Sequence, residues 1–260
     1  MKRSLTMLSV AAGIAWAQTS LAPPQAGFMR DAVDSLRPVY GIAGNFLLGS
    51  QVTGAVQSAA YSGSFGLVKS SSAVSAIDGT GSIAATSATP DGPALFAFRR
   101  NGEPALVYLL SANTLLVWNA GAFEPVPFDP ATLGATAVLS VAAPLDGHAA
   151  MIVQRDDGLW DVRIELATGA VDSQTAIPGI SAPVLMLANG QLVYGDQNGI
   201  VLRASNASER HIGAELPASF EFEQMDRDWI QLRDLGGGRQ FAIRITENHE
   251  QFYRLPEAGQ

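Results

Sequence analysis

Residues 137–177 read AVLSVAAPLDGHAAMIVQRDDGLWDVRIELATGAVDSQTAI. The stretch divides into four short apolar runs, 137–142, 148–153, 159–166 and 170–177, with polar turns between them. Val, Ile, Leu and Trp suit a pleated surface, and Asp157-Gly158 supplies the tight turn that joins two antiparallel strands. No window here repeats with helical spacing. The same unit recurs on both sides. Runs 56–60 and 65–69 flank a turn at 61–64, and runs 94–98 and 105–110 flank one at 99–104. Further on, 184–187 and 191–194 flank 188–190, and 220–223 and 229–232 flank 224–228. Each pair is followed by two more runs: 73–77 and 82–86, 114–119 and 122–128, 200–204 and 210–214, 240–246 and 251–255. Asp78-Gly79, Asn101-Gly102, Asn189-Gly190 and Asn198-Gly199 mark turns of the same chemistry.

The turns return about every 37–45 residues, near the period of four-stranded propeller blades. About twenty strands in one open sheet would leave long edges prone to aggregation. Radial repetition removes that problem, because each sheet packs only on its neighbours. The expectation is therefore an all-β chain forming a β-propeller of five blades of four antiparallel strands. A β-sandwich is the alternative; it explains the turn density but not the grouping in fours. Val107, Leu116, Val117, Ile152, Val153, Val162, Ile164, Leu185, Leu187, Val193, Val201, Ile230, Leu232 and Ile243 are the expected core.

The ends bound the domain. Lys2 and Arg3 precede a short apolar run, and Ala15-Trp16-Ala17 is a cleavage-type signal, so 1–17 reads as a signal peptide. Residues 18–35 read as an N-terminal linker and 36–260 as a single propeller-like domain. The segment 36–49, LRPVYGIAGNFLLG, has strand character yet precedes the first full repeat. It is expected to dock on the last blade or to stand beside it as a partial extra blade, closing the ring. The implied destination is export, to the periplasm or the exterior. Without Lys2 and Arg3 the chain carries 14 Lys and Arg against 24 Asp and Glu. That balance argues against nucleic acid and anionic membrane surfaces as partners. No later stretch is long and apolar enough to span a bilayer. The absence of Cys rules out disulfides and thiol chemistry.

The fivefold pattern over residues 52–256 resembles the secreted bacterial β-propeller proteins, a broad group. The resemblance speaks to fold and hardly to activity. It implies that any glycosidase-type chemistry would need acids from several innermost strands converging on the axis. Of those strands only 220–223 carries acids, Glu221 and Glu223. His148, His211 and His249 fall in different repeats without metal-ligand spacing. Gly63-Ser64-Phe65-Gly66 sits in a hairpin turn and lacks a nucleophile elbow. Trp118, Trp160 and Trp229 sit at different repeat offsets, which suits core packing more than sugar stacking. Lys69 is the sole lysine after the export signal, and the arginines are scattered along the chain.

No catalytic residue, metal ligand or cofactor is expected. The functional expectation is a secreted, non-enzymatic, monomeric binding module for a protein or glycan partner. The alternative is a glycan-processing or other hydrolytic propeller enzyme. One candidate surface stands out. The loops joining second to third strands place Asp156, Asp157, Asp196 and Asp234 on three successive blades. They would form an acidic patch for a cation or a basic partner, although tight hairpins favour Asp for their own geometry.

Overall fold

Neighbouring side chains of β9 (Pro104–Leu109) serve two different interfaces. Leu106 and Tyr108 pack against the sheet that follows, Val107 and Leu109 against the sheet before. This period-two division, with both faces apolar, lets each sheet be sandwiched between two others. The computed structural model describes residues 23–145 and 147–257. The export signal expected at 1–17 lies outside the described residues.

Six sheets follow one another around an axis. Blade 1 has three strands, β1 (Gln25–Arg30), β2 (Leu36–Ile42) and β3 (Asn45–Leu48). Blade 2 holds β4 (Ser58–Ser62), β5 (Phe65–Lys69), β6 (Ala73–Asp78) and β7 (Ile83–Ala88). In blade 3, β8 (Ala94–Phe98) precedes β9, β10 (Thr114–Asn119) and β11 (Ala122–Pro125). Blade 4 comprises β12 (Ala137–Leu145), β13 (His148–Arg155), β14 (Gly158–Glu165) and β15 (Val171–Ile177). Blade 5 comprises β16 (Val184–Met186), β17 (Leu192–Asp196), β18 (Gly199–Arg203) and β19 (Glu209–Gly213). Blade 6 ends the chain with β20 (Phe220–Asp226), β21 (Trp229–Asp234), β22 (Gln240–Arg244) and β23 (Gln251–Arg254). Every pairing is antiparallel and sequential. The one helical turn among the described residues is 3₁₀, Pro130–Leu133, capped by Asp129. No helix among them is long and apolar enough to cross a membrane.

Six hydrophobic clusters match the six interfaces. Val141, Met151 and Ile164 of blade 4 meet Leu106 and Leu115 of blade 3, and Leu232 and Ile243 of blade 6 meet Val193 and Leu202 of blade 5. The two that close the ring involve blade 1. Met29, Val39 and Phe46 pack on Met225 and Leu255 of blade 6, while Phe28 and Leu36 pack on Val56 and Tyr61 of blade 2. Phe28 stacks on Tyr61 with ring centroids 4.2 Å apart. The expected core residues are buried, apart from Val117 and Leu185, which are half-buried.

The propeller is thus the fold, and its blade number is six, not the five expected. The five four-strand groups are all present; the sixth blade is the three-stranded sheet at the N-terminus. Of the two arrangements expected for 36–49, the partial extra blade is the one realised. β1 lies inside the stretch expected to be a linker, because QAGFMR has little strand pattern of its own. Its Gly27 has φ +138, and a Cβ there would sit 2.1 Å from the Met225 carbonyl oxygen. Glycine is what lets β1 lie against blade 6.

Among the described residues blade 1 has no innermost strand. Gly27 lies beside Met225, Phe28 on Tyr61, and Arg30 beside Glu223 and Gln57, so β1 runs opposite to β4 and β20. Second strands run that way in the other blades. β20 lies directly alongside β4. Among the described residues five innermost strands therefore wall the channel of a six-bladed ring, and blade 1 is a wedge driven in behind them.

Candidate functional site

The channel holds a cavity of about 200 Å³ with apolar sides, among them Phe96, Leu139, Leu185 and Phe222. At the end where β20 begins, it meets charge. Arg30 Nη2 lies 2.6 Å from Glu221 Oε1 and 2.7 Å from Glu223 Oε1, and Arg30 Nη1 donates to the Gln57 carbonyl at 2.7 Å. Arg233 pairs with the same Glu221 and with Asp34, the latter at 3.1 Å. Gln231 locks the backbone of Arg30 from blade 6, accepting from its N–H at 3.1 Å and donating to its carbonyl at 2.7 Å. Burial pushes the Glu223 carboxyl above the usual range, with the Glu221 charge adding to it and Arg30 opposing. Burial lowers the affinity of Arg30 for its proton, but Glu223 and Glu221 outweigh it and raise the pKa. Every acid here has an arginine. The cluster is a plug that ties blade 1 to blades 2 and 6.

The other end of the channel is open. Gln224 lines both the cavity and a basin of about 530 Å³ at that end. Arg99, Arg100, Arg210 and Arg227 line the basin, with Asp228 and Glu247 as its acids. Arg99, Arg100, Arg227 and Asp228 come from the hairpin turns after β8 and β20, Arg210 from β19, and Glu247 from the loop between β22 and β23. Arg227 Nη2 donates to the Asn101 carbonyl at 2.9 Å, bridging the turns of blades 6 and 3 over that of blade 2. Gly102, at φ +92, permits this. A Cβ there would sit 2.9 Å from the Ser62 carbonyl oxygen and 3.1 Å from Arg227 Nη2. Arg210 is paired with Glu250, and Arg99 lies 3.5 Å from Glu103 between two exposed side chains. Arg100 is exposed and has no partner among the described residues.

Of the four aspartates singled out from the sequence, Asp156 and Asp157 sit in the turn after β13, and Asp196 and Asp234 end β17 and β21; Asp157, Asp196 and Asp234 have local partners. Asp157 accepts from the Trp160 indole at 2.9 Å. Asp196 accepts from the Asn198 N–H at 2.8 Å, with His211 Nδ1 at 3.8 Å. Asp234 accepts from the N–H groups of Gly236 and Gly237 and from Arg239 Nε at 2.8 Å. Those hydrogen bonds, led by Gly237, hold its carboxyl below the usual range. Asp156 is exposed. Among the described residues no group of three or more His, Asp or Glu is placed to hold a metal ion. Trp229 packs edge-on against Phe46 at 5.5 Å and Trp118 against Phe123 at 4.7 Å; among the described residues no Trp lines the cavity or the basin.

Sequence reasoning found Glu221 and Glu223 but missed Arg30 and Arg233, which neutralise them, and Asp34, which pairs with both arginines. It also missed the basin. The signal was the position of Arg99-Arg100 and Arg227 in the same hairpin turn of two blades, hidden because arginine is scattered elsewhere.

Fold and channel together define a β-propeller with one plugged and one open mouth. No protein-family model matches the sequence, and no curated protein does. Solved structures do. A chain of a nidogen–laminin complex superposes with a TM-score of 0.56 at 10% identity, covering 89% of this chain and 93% of that one. TolB from Acinetobacter baumannii gives 0.52 at 12% identity, over 90% of this chain and 64% of TolB. A protein of unknown function from Bacteroides caccae gives 0.50 at 14% identity, over 89% and 93%. The chain is similar in fold to bacterial β-propeller proteins.

Proposed function

We propose that this protein is an exported, non-enzymatic β-propeller that binds its ligand in the basin at the open mouth of the channel. The observation that carries the reading is the basin itself: about 530 Å³, in the size range of ligand pockets, lined from several blades by polar and charged side chains. Export is supported by Lys2-Arg3, the apolar run and Ala15-Trp16-Ala17. Binding is favoured over glycan hydrolysis by the state of the channel acids. Hydrolysis uses two carboxylates facing each other across the scissile bond, about 5–10 Å apart. Glu221 and Glu223 share one strand, and both are engaged by Arg30.

The test is a thermal-shift screen of the full chain against a panel of neutral, anionic and cationic small molecules, repeated on Asn189→Trp. Asn189 is an exposed residue of the basin lining, and an indole there would take up basin space. Ligands that raise Tm in the native chain and not in the variant support the basin. Ligands that shift both equally place the site elsewhere and overturn the reading.

A further inference from the structure

We propose that the basin takes a small acidic molecule, one carrying carboxylate or phosphate groups together with hydroxyls, and that Arg100 and Arg227 grip its acidic groups. This rests on the reading of the basin as the binding site and adds the ligand's chemical class.

The four basin arginines are not equivalent. Arg210 already has Glu250, and Arg99 has Glu103. Among the described residues Arg100 has no partner, and the one hydrogen bond of the Arg227 side chain runs to a neutral carbonyl, that of Asn101. A guanidinium offers five N–H donors in a planar fork, so Arg227 keeps most of its donors after that bond. The bond also fixes the fork in place, which reduces the ordering cost of gripping a ligand. Carboxylate and phosphate oxygens match such forks in pairs.

The remaining lining restricts the class further. Ser62, Asn189, Gln191 and Gln224 offer neutral donors and acceptors, and Asp228 and Glu247 offer acceptors only. A bare inorganic anion would leave those two carboxylates facing negative charge with nothing to accept. A hydroxylated acid turns its acidic groups to the arginines and its O–H groups to the carboxylates. The chain as a whole is acidic, at net −8, so its overall field repels anions. Capture then depends on short-range contacts in the basin, and binding should report those arginines directly.

Isothermal titration of the full chain with citrate, glucose 6-phosphate and glucose separates the possibilities. Binding of citrate identifies a carboxylate ligand, and binding of glucose 6-phosphate without glucose identifies a phosphate one. Either supports the proposal if Arg100→Ala and Arg227→Ala each weaken it by at least about tenfold, while Arg155→Ala, at the end of β13, leaves it unchanged. Circular dichroism of each variant excludes a folding defect as the cause. Binding of glucose alone, abolished by Asn189→Trp, would keep the basin as the site and overturn the acidic ligand. Failure of both acids to bind at millimolar concentration, or binding insensitive to both arginine substitutions, also overturns it.

Discussion

Arginine and carboxylate meet at both mouths of the channel, yet the two mouths are built for different ends. At the plugged mouth Arg30 and Arg233 are nearly buried, and Glu221, Glu223 and Asp34 take up their charge. At the open mouth Arg99 and Arg100 are exposed, and Arg100 has no partner. The difference is burial. A buried charge must be matched within the fold, so its chemistry is spent on holding blades together. An exposed one in a basin keeps its hydrogen-bonding capacity for something else.

If the plug is structural, removing what it holds should have the largest effect. Deleting residues 18–50 strips out blade 1, and with it the two apolar clusters that close the ring. Tm should fall by more than about 10 °C, since 1 kcal/mol is worth roughly 2–4 °C at this chain length. An unchanged melting curve would mean that the five remaining blades close on their own. Next in size is Arg30→Met, which leaves Glu223 buried without its counter-charge. The expected loss is about 3–5 kcal/mol, read from urea unfolding. Arg30→Met combined with Glu223→Leu should recover most of it; no recovery would show that Arg30 acts through packing alone. Leu232→Ala, in the blade 5–6 cluster, should cost about 2–5 kcal/mol and provides an uncharged comparison.

The pH dependence sharpens the same contrast. Glu223 has a raised carboxyl pKa, so its protonated form is the one the native state favours. Its contribution therefore falls as pH rises from its unfolded value toward and through the raised one. Asp78, Asp91 and Asp234 are shifted the other way by hydrogen bonds, chiefly from Thr80, Gln57 and Gly237. Their contributions are present at neutral pH and disappear as pH falls below the ordinary aspartate value. Glu223→Gln should therefore gain stability relative to the native chain on going from about pH 4, just below a typical glutamate, to about pH 7, well above it. Asp234→Asn should lose stability at pH 7 and differ little in acid. Urea midpoints from about pH 2 to pH 7 check both, and parallel curves for all three proteins would refute the assignment.

How legible was this in the sequence? Strand alternation and Asx-Gly turns located all five four-stranded blades, because their interfaces need apolar residues on both faces of each central strand. β1 escaped because its place is set by contact with Met225, some 200 residues away, and by a glycine that has no pattern to show. The missing innermost strand of blade 1 is invisible for the same reason: it is a relation between β4 and β20. At the site, Glu221 and Glu223 could be read as channel acids from their strand position. Their neutralisation could not, since Arg30 comes from the far end of the chain. The basin needed the ring to be closed before turns of blades 3 and 6 could be seen to meet.

The smallest expected effect on stability is the one that most directly tests the contrast between the mouths. Arg100 projects from an exposed turn, makes no ion pair among the described residues, and covers no buried acid. Nothing in the fold depends on it, so Arg100→Ala should change unfolding free energy by less than about 0.5 kcal/mol, as surface substitutions usually do. The same substitution removes an unmatched positive charge from the basin and should weaken ligand binding strongly. A residue that costs no stability to remove and abolishes binding is the reverse of Arg30. If Arg100→Ala instead destabilises the chain as Arg30→Met does, the open mouth is a second structural plug, and the division between the two ends of the channel collapses.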